Sequence, residues 1–70
     1  MSKEVIKTKI FELRQQKNIS QEKLADMVGV RRETILRLEK GLYNPSLKLA
    51  IDIARVFGKN VEEVFSFDRK

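Results

Sequence analysis

Six ionisable side chains crowd one ten-residue stretch: Arg31, Arg32, Glu33, Arg37, Glu39 and Lys40 within RRETILRLEK. Arginine can fork onto a guanine edge or a phosphate, and lysine acts on phosphate as a point charge. Glutamate can only accept, most naturally from a cytosine amino group. These residue types suit a surface that enters the groove of a nucleic acid. They equally suit a solvated helix face, the usual meaning of charge on an exposed stripe. The choice depends on the elements that hold the stretch.

Composition narrows the chemistry. Seventy residues make one small domain, near the size at which a single core is only just sufficient, so 1–70 is read as one unit. With 41% hydrophobic and 36% charged residues, it suits a globular domain and is too apolar for a disordered polyelectrolyte. Cysteine and histidine are both absent from the sequence, which excludes thiol chemistry, disulfides, the usual zinc sites and imidazole catalysis. Three of the four serines sit near the chain start or at cap positions, and so short a chain leaves little room for a pocket. No enzyme is expected, and no catalytic residue, metal ligand or cofactor is assigned. A net charge of +5 with a pI near 9.8 fits a nucleic-acid binder and also many plain soluble domains. No apolar run approaches the roughly 18–20 residues of a membrane span, and the first ten residues lack a signal-peptide core. No membrane partner is expected, and the expected location is cytoplasmic.

Helix punctuation is dense. Asn18 follows KIFELRQQK, Gly29 follows QEKLADMV, Gly41 follows RETILRLEK and Gly58 follows LKLAIDIARVF, each where a helix end wants a left-handed residue. Thr8, Ser20, Ser46 and Asn60 are the matching N-caps, with Glu63 completing a capping-box pair. Five helices follow, over 8–17, 21–28, 32–40, 47–57 and 61–65, with short connections and no linker or repeat. The fold class is all-α. Apolar residues at helical spacing form the expected core: Ile10 and Leu13; Leu24, Ala25 and Val28; Ile35 and Leu38; Ala50, Ile53, Ala54 and Phe57; Val61, Val64 and Phe65. EVIK near one end and VFSFD near the other both alternate, so a short two-stranded ribbon between the chain ends is a further expectation.

Residues 21–40 supply what one helix needs to stand across another. Ala25 leaves room for the second helix, Gly29 turns the chain, and Val28, Val30, Ile35 and Leu38 fill the angle between the two. Counting from Gln21, apolar residues stand at positions four, eight, ten, fifteen and eighteen, alanine at five and glycine at nine. Together these seven positions specify a helix-turn-helix unit. Around the second helix Ile35 and Leu38 mark the buried side, Glu33, Leu36, Arg37 and Lys40 point away, and Arg32 sits on the flank. Glu39 falls beside the buried stripe, where a carboxylate wants a cationic partner.

On these residues, and across nearly the whole chain from KIFELRQQKNISQEKLADMVGV to LEKGLYNPSLKLAIDIARVFGKNVEEVFSF, the sequence resembles the lambda repressor and Cro-like helix-turn-helix family, also called the Xre family. It looks closest to short stand-alone members. The resemblance implies a five-helix domain whose recognition helix, 32–40, turns Arg32, Glu33 and Arg37 toward base edges in the major groove. It implies phosphate contacts by Gln21, Arg31, Lys40, Tyr43 and Asn44, and a structural ion pair between Arg14 and Glu39.

Several positions depart from the pattern or leave two readings open. Where many relatives carry glutamine, Glu33 cannot bridge an adenine; it either accepts from cytosine or orients Arg32 or Arg37. Arg31 either meets phosphate or simply precedes the helix. Leu36 either touches a thymine methyl or is incidental. Phe11, in place of a frequent charged residue, either packs under the tail near Phe65 and Phe67 or marks a protein contact.

The resulting expectation is a transcriptional regulator, a repressor that binds double-stranded DNA at an inverted repeat as a homodimer. One recognition helix covers too few base pairs for a unique site, so two-fold pairing must set two helices about 34 Å apart. Leu42, Tyr43, Val61 and Phe65, with the loop of Gly58, Lys59 and Asn60, are the expected dimer surface, unless these apolar residues are internal. The alternative is a protein-interaction module on the same fold, such as an antitoxin, for which Phe11, Phe67 and the terminal DRK are the candidates. RNA binding lacks an aromatic stacking platform. No small-molecule effector site is expected, because five helices use up the chain.

Overall fold

The computed structural model describes the backbone of residues 4–69 and the side chains of 5–67. The chain runs through β1 (Glu4–Thr8), α1 (Ile10–Lys17), α2 (Gln21–Val28), α3 (Arg32–Glu39), α4 (Leu47–Phe57), α5 (Val61–Val64) and β2 (Phe65–Arg69). The fold is mostly helical, with the five helices anticipated from the caps and an antiparallel ribbon joining the chain ends.

Most boundaries follow local chemistry. Ser20 Oγ accepts the Lys23 N–H at 2.9 Å at the start of α2, and Ser46 Oγ accepts the Leu49 N–H at 3.1 Å at the start of α4. Asn60 donates its backbone N–H to Glu63 Oε1 at 2.8 Å, fastening the single turn of α5. Thr8 is the exception. It lies in β1 opposite Phe65 and its hydroxyl accepts the Ile10 N–H at 3.4 Å, but α1 begins two residues later with Lys9 at the cap position and no side-chain cap of its own. Strand pairing overrides the cap there: the Lys9 N–H donates to the Val64 carbonyl at 2.9 Å, so the ribbon runs to the foot of the helix. Pairing likewise ends α5 at Val64, because Phe65 is extended at φ −122°, ψ 142°.

The ribbon register sets Ile6 opposite Phe67 and Thr8 opposite Phe65, so these four share one face of the ribbon, on which Ile6 and Phe65 are buried, Thr8 is partly buried and Phe67 is half exposed. Ile6 and Phe65 are buried in one core with Ile10, Leu13, Leu24, Ala25, Ile35, Leu38, Ala50, Ile53, Ala54, Phe57 and Val64. Ile6 and Leu49 join that core beyond the residues expected from helical spacing, while Val28 and Val61 are only partly buried against it. Phe65, an expected dimer residue, is therefore core: its ring is used inside the protomer. The side chains of Asp68 and Arg69, and all of Lys70, lie outside the described residues.

The end of α3 is closed by a pair of hydrogen bonds, Gly41 N–H to Leu38 O at 3.0 Å and Leu42 N–H to Arg37 O at 2.9 Å. This closure needs a left-handed residue, and Gly41 supplies it at φ +72°. Lys40 is the helical cap residue, so α3 ends one residue earlier than the spacing indicated. No helix among the described residues is long and apolar enough to cross a membrane.

Candidate nucleic-acid interface

The site is built from the buried side of α3 outward. Ala25 is almost wholly buried on α2, and Gly29 reverses the chain at φ +76°, with the Val30 N–H closing on the Ala25 carbonyl at 3.0 Å. Ile35 and Leu38 are fully buried. With those two inward, the helical turn leaves Glu33 and Arg37 exposed on the far side of α3 and Arg32 exposed on its flank, with Lys40 exposed just past its end. Arg31 is also exposed; it holds the cap position in extended conformation and makes no side-chain cap. Leu36, read as pointing away from the core, is half-buried.

Beyond α3 the chain turns through Leu42, Tyr43 and Asn44, all exposed. With Val5, Ile6 and Gly41 they line a surface concavity of about 250 Å³. The expected phosphate residues Tyr43 and Asn44 thus share a rim with Leu42, which is 69% exposed. Val61 and Phe65 do not line that concavity; Val61 packs against the core and Phe65 is 8% exposed. The four residues expected at a dimer surface are thereby divided between an outer pair and an inner pair.

Glu39 is the hinge of the arrangement. Its Oε2 accepts from Arg14 Nε at 2.6 Å, and its Oε1 accepts from Arg14 Nη2 at 3.3 Å. The two side chains are 10% and 9% exposed, so this is a buried pair. Arg14 Nη1 also donates to the Ile19 carbonyl at 3.0 Å, tying α1 to the loop ahead of α2. The anticipated Arg14–Glu39 pair is therefore present. Two features of it escaped sequence reasoning. Gln21 Nε2 donates to Glu39 Oε1 at 3.0 Å, bringing the first residue of α2 into the same network. The Arg14 guanidinium carbon also lies 5.5 Å from the centre of the Phe11 ring, within cation–π range. Phe11 is half exposed and partners Arg14. An aromatic residue three positions before a buried arginine was the available signal.

Fold and surface together define a helix-turn-helix protein. A family model described as helix-turn-helix matches residues 10–64, and the chain belongs to that family, of the lambda-repressor-like (Xre) type. It is 58% identical over 65 residues to an HTH-type transcriptional regulator of Archaeoglobus fulgidus, covering 93% of this chain and 92% of the relative. It is 48% identical over 60 residues to the HTH-type transcriptional regulator YgzD of Bacillus subtilis, covering 86% and 91% of the two chains. It is 34% identical over 59 residues to the cryptic phage CTXphi transcriptional repressor RstR of Vibrio cholerae, covering 84% of this chain and 53% of that protein.

Proposed function

We propose that this protein is a transcriptional repressor that reads double-stranded DNA at an inverted repeat, as a homodimer, with α3 in the major groove. The observation that carries this reading is the seating of α3. Ile35 and Leu38 are buried against the rest of the fold while Glu33 and Arg37 remain exposed on the side away from them and Arg32 is exposed on the flank. A solvated helix face needs no such mounting across a second helix. Arg32 and Arg37 supply guanidinium forks for base edges, Glu33 accepts from a base or orients the neighbouring arginines, and Leu36 gives its exposed part to a thymine methyl. Gln21, Arg31, Lys40, Tyr43 and Asn44 take the flanking phosphates. Leu42 and Tyr43 form the outer part of the dimer surface. Repression is favoured over activation by likeness to a protein named as a phage repressor.

Selection of bound duplexes from a random pool tests the whole reading. The expected outcome is a two-fold symmetric motif whose half-sites lie about 10 base pairs apart, one helical turn. A pool that stays unenriched overturns sequence-specific binding, and an asymmetric single motif overturns the dimer.

A further inference from the structure

We infer that Glu39, the last residue of the recognition helix, is a positioning residue for the phosphate grip of Gln21. This rests on the proposed DNA-binding reading. A side-chain amide carries two N–H bonds held in one plane. Gln21 Nε2 spends one of them on Glu39 Oε1 at 3.0 Å, so the plane is set and the direction of the second N–H is set with it. Gln21 is half-buried and opens α2, where the positive end of the helix dipole favours an anion. The second N–H is the donor left for phosphate.

A carboxylate beside a phosphate-binding group normally repels the phosphate. Here Arg14 neutralises it, with Nε at 2.6 Å from Oε2 and Nη2 at 3.3 Å from Oε1. Arg14 is itself held by the Ile19 carbonyl at 3.0 Å. Glu39 can therefore orient Gln21 without presenting net charge to the backbone of the DNA. The consequence is mechanical: when α3 shifts in the groove, its final residue carries the phosphate donor of α2 with it, so base reading and backbone grip move as one unit.

A mutant cycle reads this coupling. Gln21→Ala, the charge-neutral pair Arg14→Met with Glu39→Leu, and the triple variant are titrated by anisotropy against a duplex of random sequence at several salt concentrations, with folding checked by circular dichroism. Gln21→Ala lowers affinity roughly tenfold, the worth of one hydrogen bond to a charged group. Its salt slope stays unchanged, because a neutral residue releases no counterion. Arg14→Met with Glu39→Leu, which removes the acceptor without changing the net charge, produces a comparable loss, and the triple variant binds no worse than Gln21→Ala alone. Independent losses that multiply to about a hundredfold overturn the coupling while leaving DNA binding intact. A wild-type chain that fails to bind duplex at low salt overturns both this inference and the function on which it rests.

The unmutated protein provides a second measurement, so the inference does not depend on the Arg14→Met, Glu39→Leu variant folding. The two side-chain amide protons of Gln21 are followed by NMR as duplex is added. The Glu39-bonded proton keeps its position and the other moves. Joint movement of both means that the amide leaves Glu39 on binding, and the inference falls.

Discussion

Gly41 lies against the backbone of Ile6 so closely that a β-carbon at position 41 would stand 2.8 Å from the Ile6 carbonyl oxygen. The end of the recognition helix is thus pressed onto the first strand, and the ribbon made by the chain ends acts as a stop behind α3. Two separate demands fall on position 41: a left-handed backbone at φ +72° and the absence of a side chain.

Gly41→Ala therefore combines two penalties. The left-handed conformation costs about 1–2 kcal/mol, and displacing a backbone carbonyl adds a strain term, for a total of roughly 2–4 kcal/mol. Gly58→Ala is the control, since its added β-carbon meets nothing within 4 Å and only the conformational term applies. Urea unfolding of both variants checks this. Equal destabilisation would mean that β1 yields freely and does not brace α3.

The Arg14–Glu39 pair leads to a second stability prediction. Both side chains are about nine-tenths buried, so Glu39→Ala strands a guanidinium and is expected to cost about 3–5 kcal/mol. Replacing both partners with apolar residues of similar volume, as in Arg14→Met with Glu39→Leu, should recover most of that loss, because no uncompensated charge remains. Chemical denaturation of the single and double variants makes the comparison. A double variant as unstable as Glu39→Ala would show that the network's hydrogen bonds to Ile19 and Gln21 matter more than its charge.

How far these features were readable beforehand varies with the distance between the residues involved. Ser20, Ser46 and Asn60 cap through groups three residues away, so their helix starts were legible from local order. Ala25, Gly29, Ile35 and Leu38 revealed the helix-turn-helix unit through spacing within twenty residues. Thr8 misled for the opposite reason: its role is set by Phe65, at the far end of the chain. Ile6 was likewise invisible as core until its pairing with Phe67 fixed which face of β1 turns inward. Phe65 looked equally suited to an interface or an interior, because apolar character alone does not say which side of a surface a ring occupies. The Gln21–Glu39 hydrogen bond joins the first residue of one helix to the last of the next, a relation that no helical period encodes.

Arg37 and Lys40 should separate base reading from backbone grip. Arg37→Ala is expected to cost about 1–3 kcal/mol on the selected duplex and to relax preference at one base pair. Lys40→Ala should weaken selected and random duplexes alike and reduce the salt slope by about one. Anisotropy titrations over a salt series distinguish them. Equal losses for Arg37→Ala on both duplexes would reassign that arginine to phosphate.

Leu42 carries the dimer prediction. It is 69% exposed, next to Tyr43 and Val5, both 41% exposed, on the rim of one concavity. A cluster of large apolar side chains on so small a domain releases water when it is buried against a second copy. Leu42→Asp places a charge there without touching the core, so the fold should persist while self-association weakens. Sedimentation equilibrium should then report a dimer for the parent chain and a monomer for the variant. Binding should change selectively: a duplex with two half-sites loses its advantage over a single half-site, on the order of 10²-fold, because the second contact is no longer intramolecular. Unchanged mass for the variant would move the two-fold contact away from this rim, toward the loop of Gly58, Lys59 and Asn60.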